Sequence, residues 1–185
     1  MKQIYRCKAC GFLMESDKPA EICPACGVPK TAFEPYRPNL SEKRRKMLNL
    51  HIHPILLHFP QAFTVLGLFL LILIPVVSEP LKAALIPTAA VILTLLPFTV
   101  AAGLLSGLYD GKLRFKKTST PILKGKILLG SSFFVFTAVC TILIHVTDFA
   151  SGIPVGEIIL LLLSTACSVL LGKMGGALLE SKLPG

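Results

Sequence analysis

The sequence predicts two modules: a small metal-stabilised domain built on two cysteine knuckles, and an all-α four-helix transmembrane bundle. Three observations carry that expectation. Four of the six cysteines, Cys7, Cys10, Cys23 and Cys26, fall within the first 26 of 185 residues. Hydrophobic residues make up 53% of the chain and charged ones 16%, against roughly a quarter charged in ordinary soluble domains. The long apolar runs begin only near Ile55. A soluble globule of this size could not keep so much apolar surface from water, and the same composition excludes a disordered chain. The net charge of +9, from 19 Lys and Arg against 10 Asp and Glu, does not by itself indicate nucleic acid. On a membrane protein such an excess marks the cytoplasmic loops. The start, Met1-Lys2-Gln3-Ile4-Tyr5-Arg6-Cys7, has no apolar h-region of the kind a secretory signal peptide needs. The expected division is 1–37 for the cysteine-bearing head, 38–52 for a basic linker and 53–178 for the membrane domain.

In the head, Cys7-Lys8-Ala9-Cys10-Gly11 and Cys23-Pro24-Ala25-Cys26-Gly27 repeat one unit, with twelve residues between the two pairs. Two thiolates spaced C-x-x-C can hold one ion from a tight turn, and the glycine that follows eases the turn. Two such knuckles supply a tetrahedral cage of four sulfurs, which suits iron or zinc. A disulfide framework is the competing reading, disfavoured because the orientation derived below puts the head in a reducing cytosol.

Tyr5-Arg6-Cys7, Cys10-Gly11-Phe12 and Cys26-Gly27-Val28-Pro29-Lys30-Thr31-Ala32-Phe33-Glu34 resemble rubredoxin, in the short form carried by rubrerythrins. The resemblance covers residues 2–36. It implies short β-strands, and one iron held by Cys7, Cys10, Cys23 and Cys26 that cycles between ferric and ferrous as a one-electron carrier. Tyr5, Phe12 and Phe33 can build a small apolar wall around such a site, and the metal supplies much of the folding energy of so short a segment. A structural zinc knuckle that shapes a docking surface is the alternative, because four-sulfur geometry does not separate the two metals.

Behind the linker, four segments are long enough to cross about 30 Å of hydrocarbon at ~1.5 Å per residue. They run over 54–77, 83–109, 127–146 and 153–172. The cations alternate between loops. Lys43, Arg44, Arg45 and Lys46 precede the first span; Lys112, Arg114, Lys116, Lys117, Lys124 and Lys126 flank the connection between the second and third; Lys173 and Lys182 follow the fourth. The other two loops offer Lys82 beside Glu79, Asp148 and Glu157. The positive-inside rule then places both termini, and the head, in the cytoplasm of a multi-pass inner-membrane protein. Lys43 to Lys46 also suit lipid headgroups. Gly103 and Gly107, with Ser106 between, favour close helix contact. Pro60, Pro87 and Pro97 each remove a backbone donor inside a span, so kinks or local rearrangements are expected. Cys140 and Cys167, inside the third and fourth spans, read as buried packing residues rather than a redox pair.

The cytoplasmic rim carries His51-Ile52-His53-Pro54-Ile55-Leu56-Leu57-His58-Phe59-Pro60. Pro54 disfavours a helical His53, so His53 is expected to cap the first span. Five residues apart on a helix is a rotation of about 140°, so His53 and His58 do not share a face cleanly. Asp110 and Lys126 should reach the same rim, and His53, His58, Asp110 and Lys126 form a candidate cofactor or quinone site. His53-Pro54 followed by His58-Phe59-Pro60, with a later glycine-rich span ending near Asp110, resembles a family of uncharacterised bacterial four-helix membrane proteins over residues 51–147. Its histidines invite comparison with membrane cytochromes, and haem b is one cofactor they could hold. Where many members open the third span with another histidine, this chain has Lys126. His145 ends the third span at the opposite rim and cannot share a haem with His53 or His58.

The function these features predict is a membrane-anchored one-electron carrier, passing electrons to a membrane cofactor or quinone. The alternative is a zinc-knuckle binding or regulatory module without redox work. Expected partners are the lipid bilayer and a cytoplasmic redox protein, not nucleic acid, with homo-oligomers open to it. No nucleophile–base pair or phosphate-binding glycine loop argues for an enzyme.

Overall fold

The computed structural model describes residues 3–37, 41–115, 120–146 and 154–179, and the chain divides into two compact units, the larger of which is Lys43–Gly175. Lys116, Lys117, Asp148 and Lys182 lie outside the described residues.

The first unit is a three-stranded antiparallel sheet in the order β2-β1-β3, from β1 (Gln3–Cys7), β2 (Leu13–Ser16) and β3 (Phe33–Pro35). Cross-strand partners set the register, with Tyr5 opposite Met14, Arg6 opposite Glu34 and Cys7 opposite Phe33. Among its described residues only Cys7 and Cys23 are buried. The head therefore has no apolar core apart from its sulfurs, which is the condition under which a metal must hold a fold together. The aromatic wall is smaller than the sequence suggests. Tyr5 and Phe33 are half-buried, but Phe12 is 36% exposed; what residue 12 gives the knuckle is its carbonyl, which accepts from the Cys7 amide.

The second unit is helical. A short α1 (Glu42–Leu48) forms inside the expected linker, with an acid in its first turn and bases in its last, the arrangement that complements the helix dipole. Four long helices follow: α2 (Ile52–Leu73), α3 (Glu79–Phe115), α4 (Pro121–Val146) and α5 (Val155–Leu179). All four are long and apolar enough to cross a membrane. They overrun the expected spans, so Lys112 and Arg114 extend α3, and Lys124 and Lys126 lie in the opening turns of α4. Lys and Arg are good helix formers, and with no proline between Tyr109 and Phe115 the helix carries on through Gly111.

The cap of α2 differs from the expectation. His51, not His53, is the cap, in the left-handed region at φ 51°. Its Nδ1–H donates to the Asn49 carbonyl at 2.6 Å. His53 is helical despite Pro54, because both lie in the first turn, where the missing proline donor has no intrahelical acceptor to serve.

One core joins all four long helices, through Leu71 of α2, Leu93, Leu96 and Val100 of α3, Phe133, Cys140 and Ile144 of α4, and Leu161 and Cys167 of α5. Both membrane cysteines are free and buried within it. The outer surface is apolar too: Phe98 is 70% exposed and Leu128 71%, which water would penalise and a bilayer solvates. Close approach of α2 and α3 relies on two glycines of α3. A Cβ at Gly103 would lie 3.2 Å from Leu57 Cδ2, and one at Gly107 would lie 2.8 Å from His53 Cε1.

At Pro97 a hydroxyl group makes good the lost backbone donor. Pro97 has no N–H to give the Leu93 carbonyl, and the Thr141 hydroxyl of α4 takes that acceptor at 2.6 Å. One turn on, His145 Nε2–H reaches the Thr94 oxygen at 2.8 Å. The bond that Pro97 breaks within α3 thus becomes a rivet to α4. Replacing Thr141 with Val should destabilise the bundle by about 1 kcal/mol, typical of interhelical hydrogen bonds in membranes. Detergent-unfolding midpoints of the two proteins would check this, and unchanged stability would mean the bond is idle.

Candidate metal centre

The two knuckles are built alike from backbone outward. In the first, the Gly11 amide donates to the Cys7 carbonyl at 2.8 Å and the Cys7 amide to the Phe12 carbonyl at 2.9 Å. In the second, Gly27 donates to Cys23 and Cys23 to Val28, each at 2.8 Å. Gly11 and Gly27 sit at φ 75° and 76°, a conformation that an L side chain resists. The sheet and the turn Lys30–Ala32 hold the knuckles together, since the Lys8 amide donates to the Ala32 carbonyl at 2.8 Å.

The four sulfurs lie within 4.8 Å of one another. Cys7 Sγ and Cys26 Sγ are 3.8 Å apart, and Cys10 Sγ and Cys23 Sγ 3.7 Å. A tetrahedron with metal–sulfur bonds of about 2.3 Å has edges of about 3.8 Å, whereas a disulfide needs about 2.05 Å. The residues therefore fit one tetrahedral ion and exclude disulfide pairing in this arrangement. Cys7 and Cys23 are the buried pair; Cys10 and Cys26 reach the surface.

Backbone amides are aimed at the sulfurs. Burial pushes the Cys23 thiol up, but the Cys26 and Ala25 amides and neighbouring thiols outweigh it, bringing it down to about 7. The Val28 amide favours the Cys26 thiolate, yet burial and the three other thiols push Cys26 up to about 12. A metal must therefore displace at least the Cys26 proton at neutral pH. Because protons compete with metal for sulfur, affinity should fall as pH falls, by about tenfold per pH unit for each proton displaced. Competition with a chromogenic chelator between pH 8 and 6 would read this slope; a flat profile would contradict thiolate ligation.

Exposed ion pairs surround the centre. Arg6 Nη2 lies 2.6 Å from Glu34 Oε1, with its guanidinium 5.3 Å from the Tyr36 ring centroid, and Lys30 Nζ lies 2.7 Å from Glu21 Oε1. Such pairs fix register more than they add stability.

Residues 5–34 match the family model described as rubrerythrin, rubredoxin-like domain. The head is a rubredoxin-like domain. The match to that domain stops at the head, and neither curated proteins nor solved structures gave a match to the chain.

In the membrane unit, His53, Asp110 and Lys126 come within electrostatic reach of one another, joined by Arg114. His53 Nδ1–H donates to Ser106 Oγ at 3.0 Å, and Ser106 in turn donates to the Gly103 carbonyl. Arg114 Nε lies 2.8 Å from Asp110 Oδ2, and Lys126 Nζ faces Gly175 of α5. His58 is exposed on α2. With His145 bonded to Thr94, this geometry lends haem no support. Sequence reasoning missed Ser106 and Arg114 as partners. Arg114 had a signal in its i,i+4 spacing from Asp110; Ser106 had none, because its partner is 53 residues away.

Proposed function

We propose that the protein is a membrane-anchored rubredoxin-type one-electron carrier, with iron at Cys7, Cys10, Cys23 and Cys26, that hands electrons to a membrane-soluble quinone. The observation that carries this reading is the sulfur cluster of tetrahedral dimensions inside a rubredoxin-like domain. Iron in such a cage supplies a ferric–ferrous couple at little geometric cost. The chain's part is to hold the sulfurs fixed and to direct amides of Ala25, Cys26 and Val28 at them, stabilising negative charge on the cluster. The surface position of Cys10 and Cys26 gives a cytoplasmic redox partner a short approach.

Charge supports an inner-membrane location with the head and both termini in the cytoplasm. Lys43, Lys46, Lys112, Lys124, Lys126 and Lys173 gather at the ends of the helices that the positive-inside rule assigns to that side. At the other ends Lys82 is 3.5 Å from Glu79. Anchoring raises the carrier's effective concentration beside a membrane partner, to the order of millimolar for a short tether.

The test is a visible spectrum of full-length protein isolated from cells grown with both metals. Iron-loaded protein should be red when oxidised and bleach on addition of dithionite. Stoichiometric zinc and a colourless protein would replace the carrier with a zinc-knuckle module.

A further inference from the structure

At the rim end of α3, Arg114 Nε lies 2.8 Å from Asp110 Oδ2, one turn apart on the same helix. Counting back along that helix, Asp110 stands three and four residues from Gly107 and Ser106, the two residues that receive His53 of α2. Those spacings put all three positions on one side of α3, so the histidine and the carboxylate meet at one stretch of the α2–α3 seam. His53, Ser106, Asp110 and Arg114 are each half-buried, deep enough for charge to count and close enough to water for protons to arrive. Ser106 spends its hydroxyl hydrogen on the Gly103 carbonyl at 3.0 Å, so its oxygen accepts from His53 Nδ1–H. The neutral ring therefore keeps its lone pair on Nε2, and a proton taken up goes there.

Imidazole is the side chain of this cluster whose charge changes near neutral pH. Once charged, His53 joins two other cations, Arg114 of α3 and Lys126 of α4, and Asp110 is the acid that acts on it. Lys126 does not hold that acid: its Nζ lies against Gly175 of α5, and it makes no ion pair among the described residues. On its own helix, His58 is exposed and turned about 140° away, while His51 is bonded to the Asn49 carbonyl. The grip of Arg114 on Asp110 is weak, as i,i+4 pairs within one helix are, and a carboxylate changes partner by rotating about its own side-chain bonds. We propose that His53 and Arg114 compete for Asp110, so that proton uptake by His53 draws the carboxylate from Arg114 and moves the ion pair from within α3 to between α2 and α3. The rim is then a pH-sensitive latch. With His53 neutral, its bond to Ser106 joins the two helices there; with His53 charged, an ion pair is added and Arg114 is released. The latch does not depend on which metal the head binds.

Zinc-loaded full-length protein in detergent, labelled with nitrogen-15 at histidine and arginine, reports on both partners in one NMR titration from about pH 8 to about pH 5. His53→Gln, which keeps a donor for Ser106, and Arg114→Gln assign the two sets of signals. As His53 takes up its proton, the Arg114 Nε–H should exchange with water about three- to tenfold faster, the loss of one hydrogen bond, and with the same midpoint. In His53→Gln the Arg114 signal should hold steady across the range. Asp110→Asn should lower the His53 midpoint by about one pH unit and leave Arg114 exchanging fast at every pH. Arg114→Gln leaves Asp110 to His53 and should raise the midpoint. The proposal is overturned if Arg114 stays protected throughout the His53 titration, because Asp110 has then not changed hands. It is equally overturned if Asp110→Asn leaves the midpoint where it was, or if His53 takes up no proton in the range. Should His53→Gln not fold, Asp110→Asn and Arg114→Gln decide alone, and a midpoint that neither moves ends the proposal.

Discussion

Stripping the metal with a chelator at mildly acidic pH is expected to unfold residues 3–37 and leave the helices intact. Among the described residues of the head the buried ones are two metal ligands, Cys7 and Cys23. Strands of five, four and three residues cannot offset the conformational entropy of ordering a segment this short. Structural sites of this kind contribute about 10–16 kcal/mol at neutral pH, more than the entire stability of most small domains. The core that unites the long helices draws no residue from the head, so their stability should not follow. Cys23→Ser removes a fully buried ligand and should act in the same direction. Amide dispersion from the head should collapse while the helical circular dichroism persists. A head that stayed protease-resistant after complete metal removal would show that side-chain packing, not the metal, holds it.

The second large effect is expected at Gly67. A Cβ there would lie 2.6 Å from Leu93 Cδ2 and 3.7 Å from Leu161 Cδ1. Leu93 and Leu161 are 1% and 0% exposed, so neither can swing away into free space. Gly67→Ala gains up to about 1 kcal/mol of helix propensity and loses about 1–3 kcal/mol to overpacking, a net destabilisation. Gly67→Leu must part α2 from α3 and should cost about 3 kcal/mol or more. Gly176, exposed and helical with nothing within 4 Å of its added Cβ, is the control, and Gly176→Ala should be neutral or gain up to about 1 kcal/mol. Detergent-unfolding midpoints would rank the three; a Gly67→Leu protein as stable as wild type would show that the helices separate at no cost.

Much of this was legible before any coordinates. C-x-x-C-G is a local instruction: the spacing and the glycine set the knuckle, and two knuckles bring four sulfurs to tetrahedral distances. Gly11 and Gly27 adopt the positive φ that their place after each pair demands. The helix ends were less legible. Hydropathy marks where hydrocarbon ends, not where helical hydrogen bonding ends, so α3 runs on through Lys112 and Arg114. The cap moved to His51 because the rule against a helical residue before proline is a bias that the first turn can override.

Sequence by itself determined the sulfur ligands and the number of spans, because both arise from residues near one another along the chain. Only the tertiary structure decided which groups meet across helices. Thr141 beneath Pro97, His53 against Ser106 and His145 against Thr94 depend on rotational phase. Helices that are apolar on every side carry no stripe to announce that phase. It is settled instead by small residues such as Gly67 and Gly107, which let neighbouring helices close, and by the few polar groups that must find partners once they do.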